Sequence, residues 1–215
     1  MQRFLTIVSV VLVAAAQRTV PATAAGQGTG KPSVKSPTVV LDKPQVRAWR
    51  TTADSIAAIG HVAAVVVPLD RGAGPGADAI WVDDAGSGEG SSIGRGSIVV
   101  VQPRAATAAP PPAGGSKPGD APFTGMSFKP LFENDRVSVI RARMEVDARE
   151  GFHTHASDTI VVYLSPGQIE DTAEGKTVVR HWKPGDVEFE GRGTSHSAKN
   201  LGAAIDVVLV VLKPR

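Results

Sequence analysis

Beyond residue 130 the chain keeps returning to short valine-rich runs, each closed by a turn, and this pattern limits what it can fold into. RVSVIRARMEV (136–146), FHTH (152–155), TIVVYL (159–164), KTVVRHW (176–182), DVEFE (186–190) and IDVVLVVLK (205–213) are β-rich. DAREG, SPGQ, KPG, GRGTS and NLGA separate them, and all carry turn residues. Branched side chains suit a pleated surface and lose rotamer freedom in a helix. No window here carries an apolar period of about 3.6 residues. Evenly spaced short strands of this kind predict an all-β sandwich or small barrel.

The N-terminus has a different character. MQR gives a basic start, FLTIVSVVLVAAA an apolar run of 13 residues, and PATAA a small-residue region ending near Ala24 or Ala25. This is the layout of a secretory signal over 1–25. The apolar run is shorter than the about 20 residues of a membrane span. The expectation is a secreted or periplasmic protein with no stable membrane span after cleavage. Cleavage would remove Arg3 and Arg18 and no acid, so 23 basic residues become 21, against 21 acidic ones. A chain near neutrality with no basic stripe gives no reason to expect nucleic acid as a partner. The sequence contains no cysteine, so any metal must be held by His, Asp or Glu.

Two stretches read as linkers, 26–37 and the Pro/Gly/Ala-rich 106–125. They divide the remainder into 38–105 and 126–215, and the two parts resemble each other. VVLDKPQVRAWR (39–50) matches PLFENDRVSVIR (130–141) at an offset of 91, with Val46/Val137 and Arg50/Arg141 identical. IVVVQPR (98–104) matches LVVLKPR (209–215) at an offset of 111, which leaves the first copy 20 residues shorter. The pattern is that of an internal duplication with a deletion inside the first copy.

Of five histidines in the chain, His153 and His155 sit one residue apart. On a strand they share a face. The Gly-rich turn in GDVEFEGRGTSHSAKN (185–200) would bring His196 back to the same interior. Three imidazoles from two strands suffice to hold a divalent first-row ion and leave open positions for water or substrate.

In these residues the C-terminal part resembles the cupins, a superfamily of jelly-roll β-barrels. Their first motif is roughly G-x5-H-x-H-x(3,4)-E-x6-G, to which His153, His155 and Gly167 correspond. The second is roughly G-x5-P-x-G-x2-H-x3-N, to which Gly185, Gly193, His196 and Asn200 correspond, with Gly191 in place of Pro. The resemblance implies an all-β fold with a complete C-terminal cupin jelly roll over 126–215 and a degenerate N-terminal copy over 38–105. It also implies a metal site at His153, His155 and His196, a small-molecule ligand, and a homodimer, since cupins often pair. Fe, Mn, Ni and Zn are not distinguished.

The chain departs from the motifs in two places. Asp147 stands where the first motif has Gly. The acidic ligand is missing: its place falls on Thr159 or Ile160, strand phase favours Thr159, and Asp158 would face away. Tyr163 has the parity of the histidines and either puts its hydroxyl in the barrel or fills the core. Arg141 and Arg143 share a face and are either anion ligands or solvated residues. Glu188 and Glu190 alternate with Val187 and Phe189 and read as the wet face. His61 and His181 are assigned no role, and GAGPG and GSGEG read as plain loops.

Two functions are compatible with this pattern. One is a metal-dependent oxidoreductase of the dioxygenase type, for which three-histidine cupin sites are known. The other is a non-catalytic protein that binds a small ligand or metal. A buried acid or base beside the triad would favour the enzyme.

Overall fold

A computed structural model describes residues 36–70, 78–104 and 123–213. The expected signal (1–25), most of the first linker and most of the second lie outside the described residues. No helix among the described residues is long and apolar enough to cross a membrane.

The first sheet is built from β1 (Thr38–Lys43), β2 (Val46–Thr52), β3 (Ala64–Pro68), β4 (Ile80–Val82) and β5 (Ser97–Pro103), in the order β1-β2-β5-β3-β4. Short 3-10 turns at Ala53–Ile59, Ala85–Ser87 and Glu89–Ile93 cover one face and bury Ile56 against Val66 and Val100.

The second sheet comprises β6 (Thr124–Glu133), β7 (Val137–Thr154), β8 (Thr159–Tyr163), β9 (Gly167–Ala173), β10 (Lys176–Trp182), β11 (Val187–Glu190), β12 (Ser195–Asn200) and β13 (Ile205–Leu212). Its order is β10-β9-β12-β7-β13-β8-β11, with β6 also paired to β7. Every pairing is antiparallel and the sheet curls on itself, so the expected all-β jelly-roll architecture is what the chain adopts.

The two sheets share a core. Val46, Ala48, Val65, Val67, Val99 and Val101 of the first pack with Val137, Val139, Ile160, Val162, Val208 and Val210 of the second, all fully buried. Each such valine or isoleucine contributes about 1.5–3 kcal/mol as an upper bound. The opposite face of the second sheet lines a hollow. β8 shows the division: Ile160 and Val162 enter the shared core, whereas Val161 and Tyr163 face the hollow beside Met144, Ala148 and Ile205.

The two sheets also share a strand pattern. β1-β2-β5-β3-β4 runs in the same sense as β6-β7-β13-β8-β11. The β1–β2 ladder slips between Val39 and Leu41, and the β6–β7 ladder slips between Pro130 and Phe132, each 91 residues further on. Among the described residues β9, β10 and β12 have no counterpart in the first sheet.

Several local readings are corrected. DAREG is not a turn, because β7 runs through it without a break. Asp147 is accommodated there with φ 59°, a left-handed conformation that suits glycine and that Asp tolerates better than most residues. The position where the motif carries Gly therefore does demand unusual backbone. β9 and β12 are strands that the valine pattern did not mark, being rich in polar residues instead. β6 starts at Thr124, inside the stretch read as linker.

Candidate metal centre

His153 and His196 face each other across the β7–β12 ladder, and His155 follows two residues on, one position past the end of β7. Alternation places His153 and His155 on one face, and the pairing of β12 supplies the third ring from the neighbouring strand. The ring centroids stand 4.8, 4.8 and 5.0 Å apart, and one nitrogen from each ring lies within 4.8 Å of the others. The turn that returns His196 is pinned at both ends: the His155 amide donates to Thr194 O at 3.0 Å and the Gly193 amide donates to His155 O at 2.8 Å. Gly193 adopts φ 83° there. Asp158 accepts from the Arg192 amide at 2.8 Å, so its role is to hold this turn.

The tautomers of two rings follow from their partners. His153 Nδ1 lies 3.0 Å from Gly151 O, which only accepts, so Nδ1 carries the proton. His196 Nδ1 donates to Asp171 Oδ1 at 3.0 Å. In both rings Nε2 keeps its lone pair. His196 Nε2 is buried and, among the described residues, has no hydrogen-bond partner, an arrangement that costs free energy unless something binds there. A carboxylate or carbonyl holding one imidazole nitrogen while the other stays free is the usual support for a metal-bound histidine. Burial and the neighbouring His196 and His153 push His155 down to about 4, which leaves it neutral and able to ligate near pH 7. The donor set therefore fits a divalent ion.

The hollow also holds acids that the sequence pattern did not reveal. Glu188 and Glu190, read as the wet face, point inward: Glu188 accepts from the Tyr163 hydroxyl at 2.9 Å, and Glu190 Oε2 lies 3.6 Å from His155 Nδ1. The reason is that Val187 and Phe189 pack against the core shared with the first sheet, so the outer face of β11 is the dry one. Burial raises Glu190 well above the ordinary carboxylate range, helped by Glu150, and burial also raises Glu188. Glu150 completes the group, with Oε1 3.6 Å from His153 Nε2.

Tyr163 faces the hollow as its parity indicates, stacked on Trp182 at 4.2 Å, and burial raises its hydroxyl above the usual phenol value. Of the two residues at the place of the family's acid, Ile160 lies in the shared core and Thr159 falls on the strand face of Tyr163. Asn200 is fully buried and serves the fold: its amide donates to Glu145 O and Ala203 O, each at 2.9 Å. Arg141 and Arg143 are tied to acids. Arg141 reaches Asp78 at 2.6 Å, and Arg143 reaches Asp206 at 2.9 Å. Their charges are thus met within the fold. His61 pairs with Asp84 at 2.9 Å, outside the triad.

No protein-family model and no curated protein matches the chain. Solved structures similar in fold include a cupin domain from Bordetella pertussis, 22% identical, covering 41% of this chain and 94% of that one at a TM-score of 0.39. KdgF from Halomonas sp. is 22% identical over 44% of this chain and 89% of its own, at 0.36. The polyketide cyclase RemF from Streptomyces resistomycificus is 16% identical over 46% of this chain and 72% of its own, at 0.38.

Proposed function

We propose that the curled sheet is a cupin domain working as a metal-dependent enzyme on a small molecule, with a divalent ion held by His153, His155 and His196. The observation that carries the enzymatic half is the pair of buried acids Glu188 and Glu190 beside the triad, both displaced towards their protonated forms. Buried carboxyls with a raised affinity for the proton are suited to exchanging one with a bound molecule. A protein that only stores a ligand has no need of them. An ion in this place would act as a Lewis acid towards a substrate oxygen. Tyr163 and Trp182 wall the hollow and exclude water on that side.

Metal content by plasma mass spectrometry tests the ion. We expect about one divalent ion per chain after loading, and none in His196→Ala with the circular dichroism of the wild type. Unchanged content in the variant would place the ion elsewhere. Incubating the loaded protein with a panel of small molecules and weighing the products tests catalysis: a compound retained at unchanged mass favours the binding alternative.

Two further readings belong to this proposal. Residues 1–25 are a cleaved export signal, so N-terminal sequencing of exported protein should begin beyond Ala25. Residues 38–105 are a shortened copy of the cupin unit, a view supported by the common strand order and by the two ladder slips 91 residues apart.

A further inference from the structure

We infer that Glu150, three residues before His153, is a fourth ligand to the ion, brought into the hollow by a β-bulge; the inference rests on the three-histidine reading. The ladder between β7 and β12 pairs His196 with His153 and then Ala198 with Glu150. β12 thus advances two residues while β7 retreats three, so one extra residue sits on β7 at Gly151–Phe152. Regular alternation would turn Glu150 to the face opposite His153. The bulge reverses the phase, as bulges beside functional sites commonly do. Phe152 is thrown outward, 53% exposed, and Glu150 joins the histidines.

The resulting contacts bring the Glu150 carboxylate towards two ring nitrogens. Glu150 Oε1 stands 3.6 Å from His153 Nε2, and its Oε2 stands 4.0 Å from His196 Nε2. Atoms bound to one ion at about 2.0–2.2 Å lie roughly 3–3.5 Å from one another, so Glu150 needs to approach the two rings by only about half an ångström, while the ring nitrogens, within 4.8 Å of one another, draw in by about 1 Å or more. The protons settle what kind of partner is required. Gly151 O and Asp171 hold the protons of His153 and His196 on Nδ1, so both Nε2 atoms present lone pairs to a carboxylate. Three acceptors converge with no donor between them, and a cation satisfies all three at once. Glu190 is the rival, but its Oε2 approaches one ring only, at 3.6 Å from His155 Nδ1.

The test compares wild type with Glu150→Gln, Glu190→Gln and His196→Ala. Co2+ is titrated into each metal-free protein, with Kd measured by chelator competition, the visible absorption of bound Co2+ recorded, and circular dichroism confirming the fold. We expect Glu150→Gln to weaken Co2+ by more than the about 10–100-fold that loss of an outer-sphere partner causes, and to shift the Co2+ bands. Glu190→Gln should keep the wild-type spectrum. Should Glu150→Gln match wild type in both readouts while His196→Ala loses Co2+, Glu150 is no ligand and the triad stands. A shift produced by Glu190→Gln instead assigns the fourth place to Glu190 and overturns the inference. Retention of Co2+ by His196→Ala overturns the triad and, with it, this proposal.

Discussion

Asp171→Ala isolates the contribution of a residue that never touches the ion. Asp171 Oδ1 accepts the Nδ1 proton of His196 at 3.0 Å, and its Oδ2 lies 3.3 Å from Arg180 Nε. Without that acceptor the His196 ring is free to rotate, and its proton is free to move to Nε2, the nitrogen that must be bare to bind metal. Outer partners of this kind are worth about 10–100-fold in metal affinity, which is about 1.4–2.7 kcal/mol. The other half of the interaction is inexpensive: Arg180 is 47% exposed, so water solvates the freed guanidinium and the fold loses under about 1 kcal/mol. The expected signature is a Kd for Zn2+ or Co2+ raised 10–100-fold, by chelator competition, with a metal-free melting curve close to wild type. An unaltered Kd in Asp171→Ala, with His196→Ala unable to bind, would refute the argument that the carboxylate fixes the tautomer.

Two other perturbations follow from the described geometry. At Asp147, where φ is 59° and the side chain is 81% exposed, Asp147→Val should destabilise by about 1–2 kcal/mol through backbone strain alone, whereas Asp147→Gly should fold at least as well relative to it in urea titration; equal midpoints would remove the strain. In metal-free protein followed by NMR, His155 should titrate near 4 and His61 above 6.5, the latter because the Asp84 side chain accepts its hydrogen bond. The lowered His155 makes the unfolded chain take up its proton first, so it withdraws stability as pH falls from 6.5 towards 4; the raised His61 adds stability below 6.5 that is lost as pH rises through its folded value. Asp84→Asn should return His61 to about 6.5, and an unmoved midpoint would discount the pair.

How far the sequence can be read depends on phase. Near-continuous runs of Val, Ile and Leu mark β8 and β13, and His153, His155 and His196, spaced as the sequence has them, come together in the fold. Alternation fails wherever a ladder slips or a face is covered from elsewhere. Glu150 is placed outside the hollow by counting back from His153, and only the bulge at Gly151–Phe152 brings it in. Glu188 and Glu190 alternate correctly, but the rule that polar residues face water assumes that the other face is the core of the same barrel. Here a second sheet, distant in sequence, supplies the dry face. The polar strands β9 and β12 carry the site and not the core, so they lack the valine signal that marks the others.

The shared core makes the first sheet part of the site's mechanical support. Val65 and Val99 belong to the same core as Ile160 and Val162, which sit on the strand that carries Tyr163. A substitution that loosens the N-terminal sheet would therefore reach the hollow through two layers of packed valine and isoleucine. In a genetic screen for lost activity, hits at Val46, Val67 or Val101 would look unrelated to chemistry, yet they would map onto the wall against which the histidine cage is held.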